Sequence, residues 1–182
     1  KTKFKHTLSC NAKVKDDDSQ YADILYLFRQ FESEAIRILM PVDILNFPEK
    51  LHSFIAALQL GLKLHFKGNV DHLRVLISEE PQPNGSIRRP YLFLYDTVPG
   101  GTGYLKQLLR KTDDFMAVLE KALYVVTNCD CEDGCYECLF AYRNNFDHDR
   151  TKRTEAEQIL KAILSRRHTL KFVDTSLSGV KL

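Results

Sequence analysis

The chain has 182 residues, with 26 lysines and arginines against 24 aspartates and glutamates, so its formal net charge is +2. Hydrophobic residues make up 44% and charged residues 27%, which indicates a globular domain and excludes a chain disordered throughout. No run of eighteen apolar residues occurs, so we predict no membrane-spanning helix. The chain begins at Lys1 without an apolar signal-like run. We expect a piece of a longer, cytoplasmic polypeptide.

The first 45 residues predict strands that pack on, or lead into, the domain that follows. Acidic residues at 16–18 are typical of a solvated turn. Two short apolar runs follow, at 21–28 and 34–42, and their β-branched and aromatic residues favour neighbouring strands. Because runs this short do not determine their own period, a helical alternative stays open for both.

Residues 46–182 predict one α/β domain with a C-terminal helix. In NFPEKLHSFIAALQLGLKLHF, apolar residues recur at helical spacing, and Asn46 and Pro48 mark the start of the helix. The runs DHLRVLIS (71–78) and RPYLFLYDTV (89–98) predict adjacent strands joined by an exposed loop rich in proline, asparagine and glycine. We therefore expect a small mixed or antiparallel sheet packed by helices.

Three further helices are predicted in the second half of the chain. The first follows a glycine-rich turn and shares one apolar face among Tyr104, Leu105, Leu108 and Leu109. The second begins with Thr112 as its N-cap. The third begins with a capping box at 154–157. A cysteine-rich insert separates the last two helices.

Four of the five cysteines lie in the stretch NCDCEDGCYECLFAYRN, with the spacing C-x-C-x3-C-x2-C: Cys129, Cys131, Cys135 and Cys138. Zinc in structural sites takes four such ligands in a tetrahedron, which leaves no position open for water chemistry. Gly134 permits the tight backbone that a knuckle requires. The segment is short and polar, so it cannot pack by itself. We predict one structural zinc ion.

The alternatives to zinc at these cysteines are disulfides, an iron–sulfur cluster and free thiols. Two disulfides would leave Cys10 unpaired, and the sequence shows no secretory signal that would place the chain in an oxidising compartment. Four thiolates also suit an iron–sulfur cluster. His148 lies close downstream and could replace one cysteine. The acidic neighbours of the cysteines disfavour reactive thiolates.

A glycine-rich turn precedes the first of the three helices and contains Gly100, Gly101 and Gly103. It lacks the Lys-Ser/Thr pair of a nucleotide-binding loop and the spacing of a dinucleotide fingerprint, so the sequence predicts no ATP site. Two interpretations remain. The glycines permit a sharp turn packed against the zinc lobe, or their amides act with Lys106 to contact a phosphate or a neighbouring domain.

Asp96, at the end of a predicted strand, and Glu79 could act as metal-binding carboxylates of a nuclease-like enzyme. No further carboxylate or histidine joins them in a recognisable pattern, so this is the weakest alternative.

Basic residues cluster after the cysteines, between 143 and 171. A basic surface beside an exposed aromatic such as Tyr142 or Phe146 is typical of contact with single-stranded nucleic acid, while the alternative is a solvated face. The predicted contact residues are Lys106, Arg143, Arg150, Lys152, Arg153, Arg166 and Arg167.

Together, YDTVPGGTGY at 95–104 and the four cysteines followed by YRN resemble the MrfA-type zinc-binding domain. This domain occurs near the C-terminus of superfamily-2 DNA helicases and in DrmB-like anti-phage defence proteins. The resemblance covers about 48–164 and implies that Cys129, Cys131, Cys135 and Cys138 bind the zinc.

The resemblance also implies a non-catalytic accessory domain in DNA repair or phage defence. Such a domain binds DNA, most simply a single strand, or couples to an ATP-driven motor in the same chain or in a partner subunit. The parent protein would be a DNA-dependent ATPase or its partner. A protein–protein docking module of a defence complex is the alternative, followed by the nuclease that uses Asp96.

Overall fold

The structure, a computed structural model, describes residues 30–81, 88–140 and 148–169. The chain divides into two compact units, Lys1–Gln30 and Phe31–Leu182. The predicted strand at 21–28 and Cys10 lie outside the described residues, as do Arg143, Tyr142 and Phe146. All elements described below belong to the second unit. No helix in the described ranges is long and apolar enough to cross a membrane.

A three-stranded antiparallel sheet has the order β1-β3-β2. The strands are β1 (Ala35–Leu39), β2 (Leu73–Pro81) and β3 (Arg88–Asp96). Ile36 pairs with Leu94, and Leu73 pairs with Asp96. Directly paired residues share a face, and on this face Ile36, Leu73, Leu92 and Leu94 join the main hydrophobic core. The predicted antiparallel sheet is confirmed.

Within the described residues, five helices accompany the sheet: α1 (Val42–Leu45), α2 (Pro48–Phe66), α3 (Tyr104–Arg110), α4 (Thr112–Thr127) and α5 (Arg153–Ser165). Short 3₁₀ turns occupy 148–150 and 167–169. Pro48 is the first residue of α2, where its missing N–H costs no helical hydrogen bond. The cysteine-rich segment lies between α4 and α5, as predicted.

The core forms where α2 packs against α4 and α5. Phe54, Leu58 and Leu62 of α2 are almost completely buried, and each such side chain stabilises the fold by about 1.5–3 kcal/mol. Gly61 lets the two helices approach closely, because a Cβ at this position would collide with the carbonyl oxygen of Val118 on α4. The main body of the domain is therefore held by apolar packing.

The start of α5 differs from the prediction. The expected capping box at Thr154 does not form, because α5 begins at Arg153 with Lys152 in the N-cap position. The free N–H groups of a helix start need acceptors, and here they come from elsewhere in the fold. The Lys152 N–H donates to Ser53 Oγ at 2.8 Å and the Arg153 N–H donates to the Asp133 carbonyl at 2.6 Å.

Two details of α3 and α4 also differ. Thr112 was expected to be the N-cap of α4, but the helix begins at Thr112 and Lys111 occupies the N-cap position. On α3, Leu105 and Leu108 are buried, whereas Leu109 is 42% exposed. The apolar face of this short helix is therefore narrower than its sequence suggested.

Candidate metal centre

The four clustered cysteines lie between α4 and α5, in the segment 129–140, called here the knuckle. Their Sγ atoms all lie within 4.8 Å of one another. Four of the separations are 3.4 Å (129 to 131), 3.5 Å (129 to 135), 3.5 Å (131 to 138) and 3.7 Å (135 to 138). A tetrahedron with metal–sulfur bonds of 2.3 Å has sulfurs about 3.8 Å apart. The four cysteines are therefore positioned to bind one metal ion.

The sulfur geometry also decides between the alternatives. All four cysteines are free thiols, and their sulfurs are far beyond the roughly 2.05 Å of a disulfide bond. A cluster of several irons would place its own iron and sulfide atoms between the cysteines. Sulfurs this close together fit a single ion better, and four thiolates in a tetrahedron are a preferred environment of zinc.

Backbone hydrogen bonds shape the second half of the knuckle. The Cys135 N–H donates to Cys138 Sγ at 3.3 Å, and the Cys135 carbonyl accepts from the N–H groups of Cys138 and Phe140 at 3.1 and 2.9 Å. Gly134 has a φ of 152°, and a Cβ there would lie 2.6 Å from the Phe140 ring. A glycine is therefore required at the position the sequence predicted.

The protonation of the thiols depends on their surroundings. Burial raises the pKa of Cys131 and of Cys138. The backbone N–H of Cys131 donates to Cys129 and lowers the pKa of that thiol. A divalent cation among the sulfurs would stabilise all four thiolates, because its charge offsets theirs.

Arg153, at the start of α5, points inward to the knuckle. Its Nε donates to the Cys131 carbonyl at 2.7 Å, and its Nη1 donates to the Val126 carbonyl at 2.9 Å. The same Nη1 lies 3.3 Å from a carboxylate oxygen of Glu157, and the arginine side chain is only 17% exposed. This position favours a structural role over the predicted contact with nucleic acid.

The outer surface of the knuckle is acidic and aromatic. Its exposed carboxylates are those of Asp130, Glu132, Asp133 and Glu137, and the segment 129–140 contains no lysine or arginine. Tyr136 is 55% exposed. The His148 ring stacks on Phe140 with 4.2 Å between centroids. His148 was considered as a replacement ligand, but the four sulfurs form the metal-competent group without it.

The described members of the predicted nucleic-acid set lie at different places in the fold. At the start of α5, Lys152 pairs with Asp133 at 3.1 Å. At the other end, Arg166 and Arg167 are exposed, and Arg167 lies 3.7 Å from Glu120. A helix of thirteen residues is about 20 Å long, so these two groups lie far apart.

Lys106 and Arg150 occupy two further places. Arg150 is exposed in the 3₁₀ turn just before α5. Lys106, on α3, forms an ion pair at 3.1 Å with Glu34, whose side chain is only 7% exposed.

Asp96 holds the glycine-rich turn together. Its side chain is fully buried. One carboxylate oxygen accepts from the Val98 N–H at 2.9 Å, and the other accepts from the Thr102 N–H and hydroxyl at 2.8 and 2.5 Å. Burial by itself would raise the pKa of Asp96, but these hydrogen bonds lower it below the ordinary value. The carboxylate is therefore engaged by its own turn.

Glu79 lies far from Asp96. In the β2–β3 register Asp96 is opposite Leu73, while Glu79 is opposite Pro90. Six residues of strand separate the two carboxylates, which corresponds to about 20 Å. The two carboxylates of the proposed nuclease site are therefore not brought together.

The amides of the glycine-rich turn are largely used within the protein. The Gly100 N–H donates to the Glu32 carbonyl at 2.8 Å and the Gly101 N–H donates to the Val98 carbonyl at 2.9 Å. All three glycines have positive φ, and the Glu34 side chain fills the space where a Cβ of Gly101 would lie. This arrangement favours the interpretation of a sharp turn over that of a phosphate-binding loop.

The central part of the chain matches the model of a known protein family. The model of the MrfA Zn-binding domain matches residues 54–139, a range that contains all four clustered cysteines. Over residues 54–139 the chain is therefore similar to this family. The resemblance noted in the sequence is confirmed, and zinc is the metal that this family name specifies.

Two curated relatives contain sequences similar to part of this chain. Druantia protein DruE of Escherichia coli (strain UMEA 4076-1) is 28% identical over 126 residues, which is 65% of this chain. The uncharacterized ATP-dependent helicase YprA of Bacillus subtilis (strain 168) is 38% identical over 50 residues, which is 28% of this chain. In each case the match spans only 6% of the relative. The zinc-binding domain is thus of a kind found in helicase-like proteins.

Among solved structures, the chain is similar to the DUF1998 helicase MrfA in a crystal structure with DNA. The match has 22% sequence identity and a TM-score of 0.45, and it covers 68% of this chain and 15% of the other.

Proposed function

We propose that this chain is a non-catalytic, zinc-stabilised accessory domain of a helicase-like protein in DNA repair or phage defence. It contributes DNA binding, or couples bound DNA to an ATP-driven motor in the same chain or in a partner subunit. The observation that carries this proposal is the coincidence of the family match with four cysteines whose sulfurs all lie within 4.8 Å of one another. A helicase among the relatives of this chain supports it.

Zinc at this centre acts on structure. The residues that would hold it are Cys129, Cys131, Cys135 and Cys138. Four thiolates fill the coordination sphere, so the metal fixes the fold of the knuckle and offers no position for a reacting water. The buried, fully engaged carboxylate of Asp96 supports a structural role for the glycine-rich turn as well.

Contact with DNA is assigned to the C-terminal end of α5. Arg166 and Arg167 are exposed there, and lysines and arginines that neutralise phosphates supply most of non-specific DNA affinity. The four carboxylates of the knuckle would repel phosphates, so we place the DNA away from that surface. Single-stranded DNA is the proposed ligand, with Arg150 and Lys106 as additional contacts. Lys152 pairs with Asp133 of the knuckle and is left out of this surface.

The test is the affinity of the zinc-loaded chain for a fluorescein-labelled oligodeoxythymidylate, measured by anisotropy over a salt series. The double variant Arg166→Glu, Arg167→Glu should bind at least about tenfold more weakly. Its salt slope should fall by about 1.4, because each lost phosphate contact on a single strand removes about 0.7. Lys63→Glu, which reverses one exposed cation on α2 where the double variant reverses two, is the control and should lose less than about threefold.

The alternative is a protein–protein docking module. The exposed side chain of Tyr136 favours it, because aromatic residues are enriched at protein interfaces. The knuckle also carries four exposed carboxylates and contains no lysine or arginine. If the arginine double variant binds DNA as tightly as the parent and with the same salt slope, DNA binding by α5 is refuted. The docking function then becomes the leading proposal.

A further inference from the structure

We infer that Arg153 is a positioning residue for the metal centre, holding the Cys131 ligand and joining the knuckle to both flanking helices. The inference rests on the assignment of the zinc ligands and is independent of the proposed DNA contact. It replaces the role that the sequence suggested for Arg153, which was one of several cations expected to face nucleic acid.

The geometry places the guanidinium at the junction of three chain segments. Nε binds the carbonyl of Cys131, a proposed metal ligand, while Nη1 binds the carbonyl of Val126 in the last turn of α4. The carboxylate of Glu157, one turn further along α5, accepts a hydrogen bond from the same Nη1. Its other oxygen forms an ion pair with Lys161 Nζ at 2.6 Å. A single side chain thus connects a metal ligand, the end of one helix and the start of the next.

Each of these contacts satisfies a specific need. The Val126 carbonyl lies in the last turn of a helix, where carbonyls lack intrahelical partners and favour a cation. The carbonyl of Cys131 belongs to the same residue as a proposed metal ligand, so a hydrogen bond to it helps to hold the sulfur in the orientation that the metal requires. Interactions that orient the ligands affect metal affinity in many proteins. Because the arginine is mostly buried, its hydrogen bonds are shielded from competing water.

The negative charge of the metal centre also supports this role of Arg153. A zinc ion with four thiolates carries a net charge of about −2, and the surrounding carboxylates of the knuckle add to it. Among the described residues, Arg153 is a cation that donates directly to the backbone of a proposed ligand. A permanently charged guanidinium at this position would offset part of that negative charge, which favours the metal-bound state.

A lysine could not reproduce the arrangement fully. The guanidinium is planar and directs its N–H groups in a fixed fork, so Nε and Nη1 can serve the two carbonyls at the same time. An ammonium group keeps the charge but reaches one carbonyl at most in a defined direction. The structure therefore predicts partial rescue by lysine.

The arrangement also ties α5 to the metal. The Arg153 N–H donates to the carbonyl of Asp133 within the knuckle, so both backbone and side chain of this residue depend on the knuckle keeping its shape. Metal binding, by fixing the knuckle, fixes the first turn of α5. We expect the order of α5 to change with zinc occupancy.

The test compares Arg153→Met, which keeps an apolar stem, with Arg153→Lys and with the control Lys152→Met. Lys152 is the adjacent cation, and it pairs with a carboxylate at the surface. The zinc dissociation constant is measured by competition with a chromophoric chelator. Visible absorption of the cobalt-substituted protein reports the tetrahedral thiolate geometry, and hydrogen exchange with and without zinc reports the order of α5.

Arg153→Met should weaken zinc binding about 10–100-fold, the range found when partners of metal ligands are removed. It should also shift the cobalt absorption and lower the protection of the first turn of α5. Arg153→Lys should recover part of the affinity, and Lys152→Met should change it less than about threefold. Parental zinc affinity and cobalt absorption in folded Arg153→Met would overturn the inference, as would equal losses in Arg153→Met and Lys152→Met.

Should Arg153→Met fail to fold, Arg153→Lys and Glu157→Gln provide the same test. Both should weaken zinc binding measurably while retaining the fold, because each loosens the guanidinium site without leaving the core empty. Unchanged affinity in both variants would refute the role of Arg153. A loss of DNA affinity without any change in zinc affinity would show that Arg153 is a DNA contact instead.

Discussion

The helical core and the knuckle are held together in different ways. Where α2 meets α4, side chains such as Leu58, Leu62 and Val118 are fully buried, and the free energy of folding comes from apolar surface removed from water. In the knuckle only Cys138 and Leu139 are buried. A segment with so little buried apolar surface depends on hydrogen bonds, on Arg153 and on a metal ion.

The contrast has a structural consequence at the border between the two regions. Cys138 and Leu139 belong to the same hydrophobic cluster as the helices, so the knuckle is anchored to the core by its last residues. Cys129, Cys131, Cys135 and Phe140 are partly buried against that cluster, while the carboxylates of the knuckle are exposed. We therefore expect loss of metal to disorder the knuckle and the start of α5, while α2 and the sheet remain folded.

The largest expected effect is the loss of zinc from the knuckle, which should leave the helical core folded. Cys135→Ser removes one of four thiolate ligands, and zinc content should fall from about one ion per chain to almost none. Hydrogen exchange should then accelerate in 129–140 and in the first turn of α5, with protection kept in α2 and β3. Zinc is quantified by elemental analysis of protein purified without added metal.

The control is Cys10→Ser, which changes a cysteine far from the cluster in sequence and should leave zinc content unchanged. Global unfolding of the Cys135 variant would contradict the view that the core is stable without the metal. A variant that retains a full equivalent of zinc would contradict the ligand assignment.

A smaller effect tests the packing of the core. Gly61→Ala should destabilise the protein by about 1–3 kcal/mol, because the added methyl group meets the Val118 backbone and its side chain. Helix propensity alone predicts the opposite sign, a gain of about 1 kcal/mol. Denaturant unfolding of the zinc-loaded protein measures the difference.

Gly68→Ala is the matched control outside the helix contact. A Cβ at Gly68 would have only an ordinary contact, 3.6 Å from the Phe66 carbonyl oxygen. This variant should be neutral or more stable by up to about 1 kcal/mol. Equal effects of the two substitutions would show that the helices do not approach as closely as described.

The smallest effect concerns the glycine-rich turn and depends on pH. Hydrogen bonds lower the pKa of buried Asp96 below its ordinary value of 3.8, so its contribution to stability is present above that value and is lost as pH falls toward the folded-state pKa. Asp96→Asn should cost about 1–2 kcal/mol at pH 7, and the difference from the parent should shrink below about pH 4.

Asp43→Asn, at an exposed position on α1, serves as the control in the same pH series and should follow the parent. If the Asp96 variant differs from the parent by the same amount at pH 3 and pH 7, the carboxylate does not hold the turn as described.

Local patterns of residues predicted most of the secondary structure correctly. The helical spacing after Pro48, the two apolar runs on either side of residues 82–87 and the apolar stripe of α4 all correspond to observed elements. These patterns succeed because each element buries one face, and its period is visible in the sequence. Helix starts were predicted less well. The N–H groups at the start of α5 find their acceptors on Ser53 and Asp133, and no local pattern contains that information.

The seven predicted nucleic-acid contacts illustrate the same difficulty. In the sequence, Arg150, Lys152 and Arg153 look alike, because each is a cation near the cysteines. In the fold Arg150 is exposed, Lys152 pairs with a carboxylate and Arg153 turns inward. One signal could have distinguished Arg153. It stands at the start of a helix, four residues before Glu157, where an ion pair along the helix is expected.

By itself, the spacing of Cys129, Cys131, Cys135 and Cys138 determined that this protein has a metal centre, because four thiolates within ten residues can surround one ion whatever the rest of the chain does. Only the tertiary structure decided how that centre is connected. The partners of Arg153 and Gly61 come from other elements of the fold, and which groups meet there depends on how the helices pack.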